Sequence, residues 1–418
     1  MTILKLTLKS SFEYLKTLLK WLVISAVVGF LGGVFGSVFH ESIDIATHYR
    51  MAHPYIIYFL PVGGVLIALL YYAFKSKGKI DTNRVIESAR DDERVPLIMA
   101  PLIFISTTIT HLLGGSAGRE GAALQLGGSI GYNVGRVLKL DKKDLHIIVM
   151  TGMSSVFSAL FGTPLTAAFF AIEVISIGII HYAALVPCVI SSVVAYEIAL
   201  FFGIKPVFFG GIMFSSISAM SVLQVTALAA LCALVSILFC SAIKYCEHYA
   251  EKFIKNRFLR AALGGAIIVG LTLLFRTYDY NGAGMEVITN AMGGSARYEA
   301  FLLKIIFTAI TISAGFKGGE IVPSFFIGST FGCVMAPLLG LDAGFGAAIG
   351  FVALFCGVVN CPIASLMLSL EVFGGQGILL FAISCAVSFM MSGNFGLYKS
   401  QKILYSKLDE HFIDINTK

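Results

Sequence analysis

The sequence predicts an all-α polytopic membrane protein built from two related halves whose helices are broken in matching places. Three observations carry this. First, 57% of the 418 residues are hydrophobic and 13% are charged, whereas a soluble globular domain carries roughly 45–50% apolar and about 25% charged residues. Second, the apolar residues fall in long runs along the whole chain. This excludes a soluble domain with a single anchor and argues against a β-barrel, whose strands are short and alternating. Third, two blocks of sequence recur at nearly the same spacing. At about 20 residues per crossing, the chain has room for well over ten membrane helices.

Taken in order, Lys5, Lys9, Lys16 and Lys20 precede an apolar run at 21–39. That run is too long and glycine-rich for the apolar part of a cleaved signal peptide, and no A-x-A site follows. The lysines favour a cytoplasmic N-terminus. Further runs are read at 54–74, 97–114, 145–162, 165–180, 182–203, 218–243, 261–275, 300–315, 323–340, 343–359, 362–373 and 376–392. Several fall short of the ~17–25 residues of a full span. Many are interrupted, at Gly114-Gly115, Gly127-Gly128, Pro164, Gly318-Gly319, Pro323 and Pro362. Irregular backbone at membrane depth is tolerated only where it is buried in protein or lines a cavity, so these breaks point to a transport path. The polar stretch 244–260 reads as a linker between a first half at 1–243 and a second at 261–398, and 399–418 reads as a short amphipathic cytoplasmic tail. The polar stretch 75–94 taken alone reads as a solvated loop.

The repeat is specific. FGTPLTAAFFAIEV at 161–174 is echoed by VNCPIASLMLSLEV at 359–372, with Pro164 and Glu173 each 198 residues before Pro362 and Glu371. Upstream, Gly118-Arg119-Glu120 lies 200 residues before Gly318-Gly319-Glu320. Two halves with breaks in matching positions place a transport site at the repeat interface.

In the first block an Arg-Glu pair interrupts an apolar run, and intramembrane charges point to function by default. The glycines permit close backbone approach. A half-helix starting there directs unpaired N–H groups and a positive dipole end inward, which suits an anion without a full positive charge. Glu120 would compete with the anion when ionised and leave when protonated. A structural Arg119–Glu120 ion pair is the bland alternative, and the repeat argues against it. In the second block, Gly-Gly then Pro fits a loop opening a helix, with the N–H groups of Ile321 and Val322 free to meet the same anion. Glu173 and Glu371 end matching apolar runs, which favours capping over a proton relay.

The absences narrow the function. There is no GxxxxGK[ST], HExxH, GxSxG or Rossmann fingerprint, and the eight histidines show no metal-ligand spacing. Neither an enzyme nor a cofactor is expected, and no basic run suits a nucleic acid. The cysteines form no CxxC pair and lie mostly in apolar runs, as small buried hydrophobes.

GREG at 118–121, GGEIVP at 318–323 and the late Tyr398 together resemble the CLC family of chloride channels and anion/proton antiporters, over nearly the whole chain. The family pattern is GREGP, GxFxP and a C-terminal anion-coordinating Tyr. The resemblance implies about eighteen tilted helices in two inverted halves, in a homodimer with one pathway per subunit. It assigns Glu120 as the external gate and proton carrier. Gly118, Arg119, Gly121, Gly319, Ile321 and Val322 become the anion-binding segments, and Tyr398 the hydroxyl that closes the inner end of the path. Ala122 replaces the family proline, and Ile321 replaces its Phe. The GSGIP serine is missing where residues 78–83 read GKIDTN, which leaves Asp81, Thr82 and Asn83 as filter candidates. Val174 stands where some antiporters carry an inner proton glutamate. These departures, with GGSAGREG and FKGGE, resemble the bacterial fluoride/proton branch. The implied partners are chloride or fluoride, protons, the bilayer of a bacterial inner membrane and a second copy of the chain. Chloride against fluoride, and antiporter against channel, stay open at this level. A cation-coupled organic solute carrier is a lower-ranked alternative.

Overall fold

The computed structural model describes residues 2–74, 81–409 and 411–418. Gly78, Lys79 and Ile80, the first part of the 78–83 stretch, lie outside the described residues. Sixteen α-helices are present among the described residues, where the resemblance implies about eighteen. The first eight are α1 (Thr2–Ala52), α2 (Leu60–Ala73), α3 (Thr82–Arg90), α4 (Met99–Leu113), α5 (Glu120–Val137), α6 (Lys142–Phe161), α7 (Pro164–Glu173) and α8 (Leu185–Phe201). The next eight are α9 (Ala219–Phe253), α10 (Arg257–Phe275), α11 (Met285–Met292), α12 (Ala300–Ser313), α13 (Ile321–Met335), α14 (Ala343–Val359), α15 (Pro362–Phe373) and α16 (Ile378–Met391). The second eight repeat the first: α4, α5 and α6 begin 201 residues before α12, α13 and α14.

Local chemistry sets the shared breaks. Helix α6 ends on Gly162 at φ 69°, and α14 ends on Asn360 at φ 58°. Both residues tolerate the left-handed region better than others. Pro164 and Pro362 then open α7 and α15, where a missing N–H costs nothing. Packing repeats as well. A Cβ at Gly127 would strike the Gly152 carbonyl, and one at Gly328 would strike that of Gly350. The α5–α6 and α13–α14 crossings therefore depend on bare backbone contact, as small-residue packing does in membranes.

Among the described residues six helices are long and apolar enough to cross a membrane, and seven shorter apolar helices run 10–17 residues. Large apolar side chains point outward from α1, α2 and α10 (Val23, Val62 and Leu274 among them), while α14 is buried from Gly344 to Val359. Lipid-facing helices thus surround a closely packed centre.

Three stretches differ from the sequence reading. The stretch 244–260 continues α9 to Phe253 and opens α10 at Arg257, whose first turn Asn256 caps. The loop expected at 75–94 contains α3. The tail forms strands β2 (Lys402–Tyr405) and β3 (Phe412–Asn416), antiparallel to each other, with β2 parallel to β1 (Ser176–Ile177). Both chain ends lie on one face. Lys20 pairs with Asp144 at the start of α6, Lys142 there pairs with Asp92, and Arg90 Nη1 donates to the Ser400 carbonyl at 2.7 Å.

Candidate anion site

The loops before α5 and α13 cross at Gly118 and Gly319. Each N–H donates to the other's carbonyl at 2.7 Å. Glycine is required at this crossing. A Cβ on Gly319 would lie 3.1 Å from the Glu120 nitrogen and overlap that of Gly121. A Cβ on Gly118 would lie 2.9 Å from Val322 Cβ, and one on Gly121 would lie 3.0 Å from Gly319 Cα. Ala123 N–H bonds to the Arg119 carbonyl at 2.9 Å and Ser324 N–H to that of Glu320 at 3.1 Å. The N–H groups before them, on Glu120, Gly121, Ala122, Ile321 and Val322, therefore begin their helices without that partner. Two positive helix ends meet here, the arrangement that binds an anion.

Glu120 is fully buried at this junction. Its Oε2 accepts from the Arg119 N–H at 2.9 Å, and the carboxylate lies among the backbone N–H groups of Arg119, Glu120 and Val322. Its Oε1 is 4.0 Å from Arg119 Nε and has no hydrogen-bond partner among the described residues. The side chain thus sits where an anion would sit. A cavity of about 450 Å³ reaches it, lined by Arg50, His111, Arg119, Asp279 and Val322 among others. This cavity lies at the end of α1 remote from Lys20, so it opens on the face opposite the chain ends.

The crossing is braced from outside. Arg50 Nη1 donates to the His111 carbonyl at 2.6 Å, and the His111 ring meets the Gly118 carbonyl at 3.3 Å. Asn281 Nδ2 donates to the Gly114 carbonyl at 2.9 Å, and Gly282 N–H to that of Gly115 at 3.1 Å. Lys304, fully buried in α12, donates to the carbonyls of Gly282 at 2.7 Å and Tyr280 at 3.2 Å. The sequence reading passed over Lys304, although a lone lysine in an apolar helix is itself a signal.

The remaining candidates separate by role. Thr82 Oγ1 donates to the Gly121 carbonyl at 3.3 Å and accepts from Gln125 Nε2 at 3.1 Å, so it reaches the junction. Asp81 caps α3 through the Arg84 N–H at 3.2 Å, and Asn83 Oδ1 accepts from Ser400 N–H at 3.0 Å. Tyr398 is buried and its hydroxyl has no hydrogen-bond partner among the described residues. A second carboxylate, Glu320, lies 3.4 Å from a Cβ position on Gly121. Helix starts 201 residues apart match Glu120 with Ile321 and Arg119 with Glu320. This corrects the 200-residue spacing that pairs the two glutamates by letter.

Glu173 and Glu371 cap each other's helices. Glu173 accepts from the N–H groups of Ile363 at 3.2 Å and Ala364 at 2.9 Å, at the start of α15. Glu371 accepts from those of Leu165 at 2.8 Å and Thr166 at 2.9 Å, and from the Thr166 hydroxyl at 2.6 Å, at the start of α7.

Comparison with known proteins places the whole chain. The sequence profile described as voltage gated chloride channel matches residues 63–393, which takes in both helix junctions and stops before Tyr398. The "Chloride/fluoride channel protein" of Pseudomonas syringae pv. tomato is 35% identical over 402 residues, covering 94% of this chain and 89% of the relative. The "H(+)/Cl(-) exchange transporter ClcA" of Klebsiella pneumoniae is 28% identical over 406 residues, covering 88% of this chain and 85% of that one. The solved structure of a CLC-type fluoride/proton antiporter superposes with a TM-score of 0.87 at 30% identity, covering 92% of this chain and 98% of that one. With the profile spanning most of the chain and the opposed helix starts in place, the chain belongs to the voltage gated chloride channel, or CLC, family.

Proposed function

We propose that this protein exchanges a halide for protons across a bacterial inner membrane, with fluoride preferred and Glu120 as the gate. The observation that carries the reading is the Glu120 carboxylate lying among N–H groups of two opposed helix starts. Ionised, it fills the anion position. Protonated, it loses the charge that holds it there and yields the position to an anion. One residue then serves both anion and proton, which couples their movements. Arg119, with the backbone of Gly118, Gly121, Gly319, Ile321 and Val322, forms the cradle, and Thr82 braces it. The fluoride preference rests on the 35% identical relative named for chloride and fluoride and on the likeness to the fluoride/proton antiporter.

The face carrying Lys20 and the tail is taken as cytoplasmic from the lysine bias, which sets Glu120's cavity outward. We take α1–α8 and α9–α16 as the two halves, since their order of elements recurs, and a homodimer as the assembly. A passive channel is the second reading, favoured by Val174, an apolar residue at the end of α7.

Anion efflux from proteoliposomes loaded with equal fluoride and chloride, with external pH recorded together, tests the proposal. Fluoride-selective efflux with alkalinisation outside is expected. Anion efflux with no proton movement would establish the channel, and no anion efflux would refute both readings.

A further inference from the structure

The loop that carries Tyr398 is tied down on both sides by groups that the cradle itself does not use. The Thr417 hydroxyl, just beyond β3, donates to the Tyr398 carbonyl at 2.6 Å, and Gln401 N–H donates to the same oxygen at 3.0 Å. Leu397 N–H donates to the Val358 carbonyl at 2.9 Å, at the end of α14. Ser400 is bonded to α3 through all three of its polar groups. Its N–H donates to Asn83 Oδ1 at 3.0 Å, its hydroxyl to Glu87 Oε1 at 2.5 Å, and its carbonyl accepts from Arg90 Nη1 at 2.7 Å. At its first residue α3 also meets the cradle, where Thr82 donates to the Gly121 carbonyl.

The side chain of Tyr398 presents the contrast. Its hydroxyl is buried and unpartnered among the described residues. Such a group turns toward a partner if its backbone allows. Packing holds its ring, and the bonds made by its own and neighbouring backbone groups hold the point from which the side chain starts.

We propose that Thr417 and Ser400 are positioning residues for Tyr398. They hold its backbone so that the hydroxyl stays free for the transported anion, and α3 makes one rigid piece of this loop and the cradle. This rests on the reading of Tyr398 as a residue of the anion path. When the backbone is released, the hydroxyl finds a protein partner, the inner end of the path opens, and anions slip without protons.

The test uses the full chain in proteoliposomes, with fluoride flux and proton flux recorded together and the unfolding midpoint measured in detergent. Thr417→Val removes the hydroxyl and keeps the shape. The proton-to-fluoride ratio is expected to fall about fivefold, the factor one lost hydrogen bond supplies, with the unfolding midpoint retained. Thr417→Ser restores the donor and is expected to restore the ratio. An unchanged ratio in Thr417→Val, beside an altered one in Tyr398→Phe, would overturn the positioning role alone. An unchanged ratio in Tyr398→Phe would remove the role of Tyr398 and this inference with it. If Thr417→Val does not fold, Ser400→Ala decides: it removes the bond to Glu87, and a wild-type ratio there overturns the proposal.

Discussion

Replacing Glu120 by glutamine keeps the shape of the side chain and removes its charge and its proton chemistry. The carboxylate has one firm bond, from the Arg119 N–H at 2.9 Å, and lies among two further N–H groups, of Glu120 and Val322. A hydrogen bond to an ionised group contributes about 1.5–3 kcal/mol against about 0.5–1.5 for a neutral pair, a loss of roughly 1 kcal/mol for each bond. With only the firm bond counted, the balance moves about fivefold toward the vacated cradle. With all three counted, it moves about 150-fold. Uncoupled fluoride flux from proteoliposomes should therefore rise by at least about fivefold, until another step limits it, while proton movement falls to the level of empty vesicles. The pH dependence follows with a definite sign. In the parent protein anion flux rises as pH falls, because protonation takes the carboxylate out of competition, and in Glu120→Gln that dependence disappears. Proton coupling that survived in Glu120→Gln would refute the reasoning, because glutamine carries no proton and another group would then couple the two ions.

Other perturbations test the scaffold. Gly319→Ala drives a methyl group into the backbone nitrogens of α5 and should abolish fluoride binding by calorimetry, whereas Gly270→Ala, whose Cβ meets nothing within 4 Å, should leave it unchanged. Glu173→Gln weakens the cap on α15 and should lower stability by about 1–3 kcal/mol in detergent unfolding while leaving the proton-to-fluoride ratio intact. A changed ratio would restore a relay role. Lys304→Met leaves the carbonyls of Tyr280 and Gly282 without that donor. Thermal unfolding in micelles should show a lower midpoint, and fluoride flux should fall as the Gly114–Gly115 brace loosens.

The apolar runs at 343–359 and 362–373 coincide with α14 and α15 because a tolerated left-handed cap and an opening proline mark the same boundary that the hydropathy marks. Helices α3 and α11 escaped, since each is only two turns long and α3 is mostly polar. Its buried Val85, Ile86 and Ala89 do follow helical spacing, a signal too brief to stand out beside the long runs. The tail strands were hidden for a different reason. β2 pairs with β3 nearby, but its other partner, Ser176–Ile177, lies more than two hundred residues away, and no local pattern reports a pairing at that range. The crossing of Gly118 and Gly319 was legible because both glycines lie in motifs. Lys304 left one sign, a lone lysine in an apolar run, while Ser400 left none, because its partners Asn83, Glu87 and Arg90 lie more than three hundred residues away in sequence.

Matched by letter, Glu120 and Glu320 look like equivalent gates, one per half. Matched by helix start, the scaffold is symmetric and its charges are not: Arg119 and Glu120 face Glu320 and Ile321. Symmetry supplies the anion cradle, since two like helix starts can oppose their N–H groups across one crossing of glycines. Asymmetry supplies the gate. Glu320 precedes α13 where Glu120 opens α5, so a further glutamate at 321 would add a like charge to a junction that already holds two carboxylates. In the proposed mechanism, the one carboxylate that opens a helix lets the site alternate between its own side chain and a halide, and this alternation couples the two ions.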